Sequence, residues 1–516
     1  MENQEGQSTL SGGRACSFFP SLFVVNFSVV ARSLGIMVLM LGITMGGSVI
    51  LAAVVPTEQA HETGMDWLGW GISLGIALVL GAAFLLIASQ LAKTSKRADT
   101  MRRREAMALV GVGWLVCSIV AALPYMFCEP KVDFHVALFE ATSGLTTTGA
   151  TIFADVESLP KSILMWRSTT QWLGGVGILA IFVLVLSGSG TSGRMLVGAE
   201  SSLAGSDLAS LRQTMRKIWV LYIVLTAVCI LGLWVSGLTP FQAVNHALTV
   251  VSTAGFGTEN DSVTGFGQGT KVVMLCFMLI GGVSFPLYLS MFRTGWKDRL
   301  GRFEEVWWYV TLLMGAILLI VVFHLLTETG DPIFDVVFNT VSVSTTTGYV
   351  SGDYDHWGHF GKSMLVGLMI MGGCSGSTSG GLKVSRLILT ARFVIAELRG
   401  SFRPKELRKV GLGGRLLDAS GQGQLFLVVA LFGFFLISAT LVTSRLEPET
   451  SFIGSLSAVL SCLSNVGPAF AEFGPRDNFA HVEPSGAFVL SVLMILGRLE
   501  YVAVLVLFSR RLWKRY

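Results

Sequence analysis

Four short runs of small and hydroxyl-bearing residues, each ending in glycine, carry the chemistry that this sequence suggests first. They lie at 146–149 (TTTG), 252–255 (STAG), 345–348 (TTTG) and 464–467 (SNVG). Glycine lets a chain point consecutive carbonyl groups in one direction, and threonine and serine hydroxyls add further acceptors. A ring of such oxygen dipoles can replace the hydration shell of a monovalent cation. The runs therefore predict cation coordination by backbone oxygens.

Each run follows a short helix that begins at a recognisable cap. The predicted caps, Asp133, Thr239, Asp331 and Ser451, precede their glycines by 16, 16, 17 and 16 residues. Such residues are favoured at the N-cap, and proline, which follows two of them, is favoured at the first helical position. About eleven helical residues fit before each run, half of the roughly 20 that cross a bilayer. The spacing predicts four re-entrant half-helices.

The elements that position these half-helices must lie in a membrane. Of the 516 residues, 52% are hydrophobic and only 37 are basic and 33 acidic, and the mean hydropathy is +0.66. Ten apolar stretches are long enough to span a bilayer: 33–55, 67–92, 106–127, 163–186, 218–235, 272–292, 306–326, 364–389, 425–441 and 487–508. Most basic residues fall in loops on one side, which predicts cytoplasmic termini.

The repeat sets the expected organisation. Non-helical backbone at membrane depth is tolerated only where it is buried or lines a water-filled cavity, so the four runs should share one axis. The predicted fold is an all-α polytopic membrane protein with two leading transmembrane helices and four pseudo-symmetric units of transmembrane helix, pore helix and transmembrane helix around one central pore. The predicted limits are 1–32 for the N-terminus, 33–105 for the leading helices, and 106–190, 212–303, 304–415 and 422–516 for the units.

Charge near the runs also favours a cation. The carboxyl-terminal ends of the half-helices are partly negative, and an acidic pair follows each glycine: Asp155 and Glu157, Glu259 and Asp261, Asp353 and Asp355, and Glu472 and Asp477. These eight acidic residues, called the acidic mouth below, would concentrate cations at the entrance to the runs. Solvation of exposed loops explains the acidic pairs equally well.

Other functional classes find little support. The net charge of +4 is small, and the basic residues form no single stripe, so nucleic acid is not an expected partner. The seven cysteines show no metal-ligand spacing. The GxGxxG pattern at Gly188, Gly190 and Gly193 follows an apolar span and not the strand of a dinucleotide fold. No enzyme activity and no cofactor are therefore predicted.

Five stretches match a known family. They are TTTGAT at 146–151, TTTGY at 345–349, SNVGP at 464–468, GGCSGSTSGGLK at 372–383 and GRLE at 497–500. Together they resemble the TrkH branch of the Trk/Ktr/HKT potassium transporters, and the resemblance covers the chain from about residue 33. It implies a potassium selectivity filter, with K⁺ as the transported ion, at Thr147, Thr148, Gly149, Thr253, Ala254, Gly255, Thr346, Thr347, Gly348, Asn465, Val466 and Gly467.

The same resemblance implies partners and a location. It implies a homodimer in a bacterial-type inner membrane, regulated by a separate cytosolic TrkA-like nucleotide-binding subunit. Ala254, Asn465 and Val466 depart from a uniform threonine filter, which leaves fine selectivity open. In plant members of the superfamily, serine in place of the first filter glycine is associated with sodium selectivity, so Gly149 favours potassium here.

A gate is predicted on the far side of the filter. Residues 372–381 comprise five glycines, three serines, one cysteine and one threonine, which no regular helix favours; close helix packing is the alternative. Arg498 lies in the last span, where a charge costs on the order of 3 kcal/mol, and its alternative role is a structural tie through pairing with Glu500 or with a backbone carbonyl. The resemblance implies a gate formed by Gly372, Gly373, Ser375, Gly376, Gly380, Gly381 and Arg498.

Three other polar residues were assigned by position. Arg167 and Gln171 lie near the outer end of the fourth span, where a long side chain can reach the interface, and both are interpreted as structural. Lys383 belongs either to the gate or to the cytoplasmic exit. A sodium-selective or sodium-coupled transporter on the same scaffold is the alternative function, and coupled symport stays open. An intramembrane enzyme that uses the polar 372–381 run is a remote alternative.

Overall fold

The computed structural model describes residues 25–56, 65–94, 101, 103–177, 208–291, 303–327, 330–402 and 410–513. Residues 178–186 of the predicted fourth span, the GxGxxG glycines and Cys16 lie outside these ranges. The described chain is predominantly helical, and its one β-hairpin pairs Gly411–Leu412 with Arg415–Leu416. The all-α membrane fold is confirmed, because six of the described helices are long and apolar enough to cross a membrane.

Two leading helices, Phe27–Val54 and Trp67–Thr94, precede four units. Each unit has a long helix, a half-helix and a following helix. They are Arg103–Phe127, Phe134–Leu145 and Lys161–Val176 in unit 1; Leu208–Val235, Pro240–Val251 and Gln268–Gly282 in unit 2; Glu304–Thr327, Ile333–Ser344 and Gly358–Met371 in unit 3; and Ala419–Leu446, Phe452–Ser464 and Pro484–Arg498 in unit 4. The first leading helix packs on the second and on unit 1.

The half-helices begin where the caps predict, with one exception. Thr239 forms a capping box with Gln242, and Ser451 accepts the Gly454 N–H. Asp133 takes the N-cap position of the first half-helix. The prediction of Asp331 as a cap is wrong: the third half-helix begins at Ile333 with Pro332 as its N-cap, because Pro332 is still extended, with ψ of 130°, and the first helical residue therefore comes one position later.

This correction makes the repeat more regular. Pro332 precedes Gly348 by 16 residues, the same offset as in the other three units. The half-helices contain 12, 12, 12 and 13 residues, about half of a bilayer span. Asp331 instead contacts two histidines: its Oδ2 lies 2.9 Å from His356 Nε2 and 3.6 Å from His324 Nε2.

The four units close into a circle. The helix that follows each half-helix packs against the half-helix of the next unit: Lys161–Val176 against Pro240–Val251, Gln268–Gly282 against Ile333–Ser344, Gly358–Met371 against Phe452–Ser464, and Pro484–Arg498 against Phe134–Leu145. The chain order is therefore also the order around the axis. This arrangement brings the four glycine-ending runs to one place.

Several predicted spans are broken halfway. The interruption predicted at 372–381 is present, between Gly358–Met371 and Val384–Phe402. Continuous helices over 272–292 and 487–508 are wrong, because helices end at Gly282 and Arg498 and resume at Phe285–Met291 and Val502–Leu505. The helix in the fourth span ends at Val176, before Gly177 with φ +76°.

The reason for these breaks is close contact between units and within them. A β-carbon at Gly174 would lie 2.0 Å from the Leu145 carbonyl oxygen, and one at Gly497 would lie 2.1 Å from that of Leu463. Only glycine lets each helix pass the end of its own half-helix at this distance. The same glycines weaken the helix, since they lose more conformational freedom than other residues on folding.

Candidate ion pathway

The four glycine-ending runs meet in a closed ring, defined here as residues 147–149, 253–255, 346–348 and 465–467. Each ring glycine lies against the carbonyl oxygen of the residue that precedes the glycine of a neighbouring unit. The pairs are Gly149 with Ala254, Gly255 with Thr347, Gly348 with Val466, and Gly467 with Thr148, and an added β-carbon would lie 1.9–2.8 Å from each oxygen. The predicted filter residues are therefore brought together.

The backbone of the ring has the same conformation in every unit. The residue two positions before each glycine is left-handed, with φ of 55° at Thr147, 49° at Thr253, 55° at Thr346 and 54° at Asn465. The glycines have φ of 80–108°. A β-branched residue at positive φ is a genuine outlier, and such strain persists only where surrounding structure enforces it. The four units thus impose one geometry on three different sequences, TTTG, STAG and SNVG.

The hydroxyls of the two threonines that directly precede a ring glycine are bonded to protein. Thr148 Oγ1 lies 2.7 Å from Thr146 Oγ1, and Thr347 Oγ1 lies 2.8 Å from Thr345 Oγ1. Both partners end a half-helix. These bonds fix the threonine side chains to the half-helices. The backbone carbonyls of the ring are consequently the groups best suited to coordinate a cation.

The acidic residues beyond the ring have mixed roles. Asp155 Oδ1 accepts the Asn260 side-chain N–H at 2.8 Å, and this bond, with others from backbone N–H groups, holds the pKa of Asp155 below its usual value. Glu472 accepts hydrogen bonds from Ser451. Such carboxylates order the loops.

One acidic residue of the mouth, Asp477, has a raised pKa. Burial, together with the neighbouring charges of Asp353 and Asp355, raises the pKa of Asp477. Asp353 and Asp355 belong to unit 3 and Asp477 to unit 4, so acidic residues of two units lie near one another at the boundary between those units.

The 372–381 run lies directly against the opposite side of the ring. Two hydrogen bonds join the run to the ring, from the Gly380 N–H to Thr346 Oγ1 at 2.6 Å and from Thr253 Oγ1 to Thr378 Oγ1 at 3.0 Å. A third, from the Gly381 N–H at 2.8 Å, goes to the carbonyl of Ser464, the residue directly before the ring. The run therefore contacts units 2, 3 and 4 at once. Small residues also allow close packing here, since a β-carbon at Gly380 would lie 2.1 Å from the Ser464 carbonyl oxygen.

Arg498 reaches from unit 4 to two other units. Its Nη1 donates to the Thr378 carbonyl at 2.9 Å, and its Nη2 donates to the Gly174 carbonyl at 2.7 Å. The guanidinium thus joins the 372–381 run to the end of the first broken helix. Glu500, the partner considered from the sequence, accepts a hydrogen bond from Arg386.

A cavity of about 190 Å³ lies on this side of the ring. Its lining includes Asn465 of the ring, residues 375–381 of the run, Lys383 and Arg498. The Lys383 ammonium donates to the Ser379 carbonyl, which ties it to the run. Basic side chains therefore outnumber acidic ones in the lining, where Glu500 is the acidic residue.

Sequence reasoning missed one buried ion pair beside the ring. Arg167 was expected to reach the membrane interface, and this is wrong: the residue is 1% exposed and its Nε lies 2.7 Å from Glu140 Oε1. Arg167 also donates to the Gly257 carbonyl at 3.0 Å and lies over the Phe256 ring. Opposite charges in two apolar helices of one unit were the signal for this pair.

Known proteins share this architecture. The family model described as "TrkH: Cation transport protein" matches residues 75–515. The Trk system potassium uptake protein TrkH of Salmonella typhimurium is 32% identical, over 80% of this chain and 86% of that protein, and the TrkH of Vibrio parahaemolyticus is 30% identical over the same shares. The crystal structure of the potassium transporter TrkH from Vibrio parahaemolyticus superimposes with a TM-score of 0.79 at 26% identity, covering 95% of this chain and 100% of that one.

Proposed function

The chain belongs to the TrkH family of cation transport proteins and is a potassium uptake transporter, and from this premise we propose that potassium crosses it through the ring. The observation that carries the proposal is the closure of four equivalent backbone segments, each glycine against a carbonyl of the neighbouring unit. The proposed selectivity filter comprises the twelve ring residues, from Thr147–Gly149 of unit 1 to the corresponding residues of units 2, 3 and 4.

The physical argument for a cation is electrostatic. An ion that leaves water needs oxygen dipoles in place of its hydration shell, and the ring carbonyls supply them from four sides. The four half-helices end at the ring, so their partly negative carboxyl-terminal ends stabilise positive charge there. The potassium ion is cargo, and no cofactor takes part in this step.

We propose that the 372–381 run and Arg498 form the gate. The run lies across the ring's inner side, and the fixed positive charge of Arg498 opposes the entry of a cation into the cavity. Opening then requires Arg498 to release the Thr378 and Gly174 carbonyls. Gly372, Gly373, Ser375, Gly376, Gly380 and Gly381 give the run the conformational freedom to move.

The proposal also includes the location of the chain, the limits of its units and its partners. The chain is a multi-pass membrane protein, and we propose that it lies in the inner membrane with both termini cytoplasmic. The units extend over 106–190, 212–303, 304–415 and 422–516. The "Trk system" in the names of the relatives implies more than one component, and the proposed partners are a second copy of this chain and a cytosolic nucleotide-binding subunit of the TrkA type.

Uptake into liposomes tests the filter. The purified protein should admit potassium and rubidium well above sodium, and Gly149→Ser should lose this discrimination, because its β-carbon would lie 2.2 Å from the Ala254 carbonyl oxygen and φ at this position is +81°. The matched control is Gly367→Ala, whose β-carbon has no neighbour within 4 Å.

Two outcomes would change the proposal. Sodium uptake equal to or above potassium uptake would favour the sodium-selective alternative, which Ala254, Asn465 and Val466 suggest because they depart from a threonine filter. Dependence of uptake on an imposed proton or sodium gradient would indicate symport, and uptake without any gradient other than that of potassium would indicate passive flux.

A further inference from the structure

Gln171 of unit 1 contacts the ring segment of unit 2 with both ends of its amide. Its Nε2 donates to the Ala254 carbonyl at 2.7 Å, and its Oε1 accepts the Phe256 N–H at 3.0 Å. The side chain is fully buried. One amide therefore holds the peptide groups on both sides of Gly255, whose φ is +80°.

Unit 2 lacks the internal contact that fixes the other ring segments. In units 1 and 3 the residue before the glycine is a threonine bonded to the end of its own half-helix. In unit 4, Ser461 Oγ accepts the Gly467 N–H at 3.0 Å and donates to its carbonyl at 2.6 Å. Ala254 has no hydroxyl, so its segment keeps the backbone bond to its own half-helix, from the Ala254 N–H to the Thr249 carbonyl at 2.9 Å, but lacks a side-chain contact of this kind.

The position of Gln171 is polar in unit 1 alone. Three positions before Gly174, Gly281, Gly372 and Gly497, which are equivalent glycines of units 1 to 4, lie Gln171, Met278, Met369 and Met494, and all four side chains are buried. Burying an amide is unfavourable unless it is hydrogen-bonded. The two bonds to the unit 2 segment satisfy this requirement, whereas methionine of similar length has no such need.

The unit 2 segment is also held from its other side. The Tyr349 hydroxyl of unit 3 donates to the Phe256 carbonyl at 3.0 Å. Four carbonyl groups lie directly before the ring glycines, one in each unit. Among the described residues, only the carbonyl of Ala254 accepts a hydrogen bond from a side chain. The electrostatics and orientation of this carbonyl therefore depend on unit 1.

We propose that Gln171 is a specificity-determining positioning residue, which sets the orientation of the Ala254 carbonyl and replaces the hydroxyl contact that unit 2 lacks. The inference rests on the proposed potassium filter. Without the amide, the Gly255 peptide gains freedom to rotate toward a smaller ion. Discrimination against sodium then falls, while the fold and the gate stay in place.

The test compares potassium, rubidium and sodium uptake by the full-length protein and three variants in liposomes. Gln171→Met gives unit 1 the residue of the other units and removes both hydrogen bonds. Met278→Leu, at the equivalent buried position of unit 2, is the matched control. The third variant combines Gln171→Met with Ala254→Thr. It places a threonine hydroxyl next to Ser252 at the end of the same half-helix, as in units 1 and 3.

Loss of hydrogen bonds of this kind changes equilibria by about fivefold to tenfold, so Gln171→Met should lower the potassium-to-sodium uptake ratio by about that factor. Met278→Leu should leave the ratio unchanged, and the Ala254→Thr double variant should recover it. Should Gln171→Met not yield folded protein, Gln171→Glu, which keeps the acceptor and removes the donor, takes its place with the same expected direction.

The outcomes separate this inference from the proposed function. A wild-type protein that does not discriminate would contradict the filter itself. A wild-type protein that discriminates, with Gln171→Met equally selective, would overturn only the role of Gln171. A lowered ratio that Ala254→Thr fails to restore would contradict the compensation between the two residues.

Discussion

The ring and the region beneath it are built by the same four units, yet they differ in symmetry. In the ring, every unit presents one left-handed residue and one positive-φ glycine at the same offset. Beneath it, the breaks differ in length: two residues after Gly282, residues 372–383 in unit 3, and three residues after Arg498. Coordinating a spherical ion requires equal contributions from all sides, whereas closing a pathway requires only one unit to extend across it.

The supports of the two regions differ as well. The outer side of the ring is held by buried contacts, among them the Arg167–Glu140 pair. The inner side is held by Arg498, whose hydrogen bonds go to carbonyls of two other units. Hydrogen bonds to neutral carbonyls cost less to break than a buried ion pair. This difference suits a fixed filter and a movable gate.

The largest effect is expected from Glu140→Gln, which tests whether the ring is rigidly supported. The change leaves Arg167 buried without its carboxylate partner, and breaking a buried pair in this way costs about 3–5 kcal/mol. Thermal unfolding in detergent should shift to lower temperature. The double variant Glu140→Gln with Arg167→Met should recover much of the loss, and an equally unstable double variant would contradict the pairing argument.

An intermediate effect is expected from Arg498→Ala, which tests whether the inner region is a gate. Hydrogen bonds to charged groups contribute about 1.5–3 kcal/mol, so basal potassium uptake should rise by about tenfold or more when they are removed. Lysine keeps the positive charge but has no guanidinium to bridge the Thr378 and Gly174 carbonyls. Basal potassium uptake by Arg498→Lys should therefore lie between that of the wild type and that of Arg498→Ala. Unchanged basal and regulated flux in Arg498→Ala would show that this arginine is not part of a gate.

The smallest effects are expected at the acidic mouth, where two aspartates should respond in opposite directions. The pKa of Asp155 is lowered, so its ionised form stabilises the fold above its ordinary pKa, and this contribution disappears as the pH falls through the lowered value. Asp155→Asn should therefore lower the unfolding temperature slightly at pH 7.

The pKa of Asp477 is raised, so its ionised form opposes folding, and the penalty grows as the pH rises through the ordinary value toward the raised one. Asp477→Asn should raise stability at pH 7 by about a few tenths of a kcal/mol, since the group is exposed, and the gain should vanish at low pH. Melting curves of both variants from pH 3 to 7 check this pair, and shifts of the same sign would refute the assignment.

The sequence predicts the ring better than the region beneath it, for a physical reason. Caps and glycines act locally, so Thr239, Ser451 and Gly149 reveal the half-helices and their ends without knowledge of neighbours. The breaks after Gly282 and Arg498 depend on close contact with the half-helix ends, which the local sequence does not specify. Only the 372–381 run, whose composition excludes a helix, was recognisable in advance.

The contacts between units were the least predictable. Gln171 was interpreted as structural because nothing in the sequence says that the helix following the first half-helix packs against the second one. Once the order of units around the axis is known, the contrast between Gln171 and the methionines at the equivalent positions becomes informative. Asp331 was mistaken for a cap because the start of a helix can shift by one residue. The local sequence does not determine which residue is the first to take helical backbone angles.

The proposed filter requires the ring carbonyls to bind the transported ion. Anomalous X-ray diffraction from crystals grown in rubidium instead of potassium measures this directly. We expect a rubidium peak on the axis, within coordination distance of the carbonyl oxygens of Thr148, Ala254, Thr347 and Val466, and its loss in Gly149→Ser. Rubidium bound elsewhere in the protein, with none at the ring, would contradict the claim.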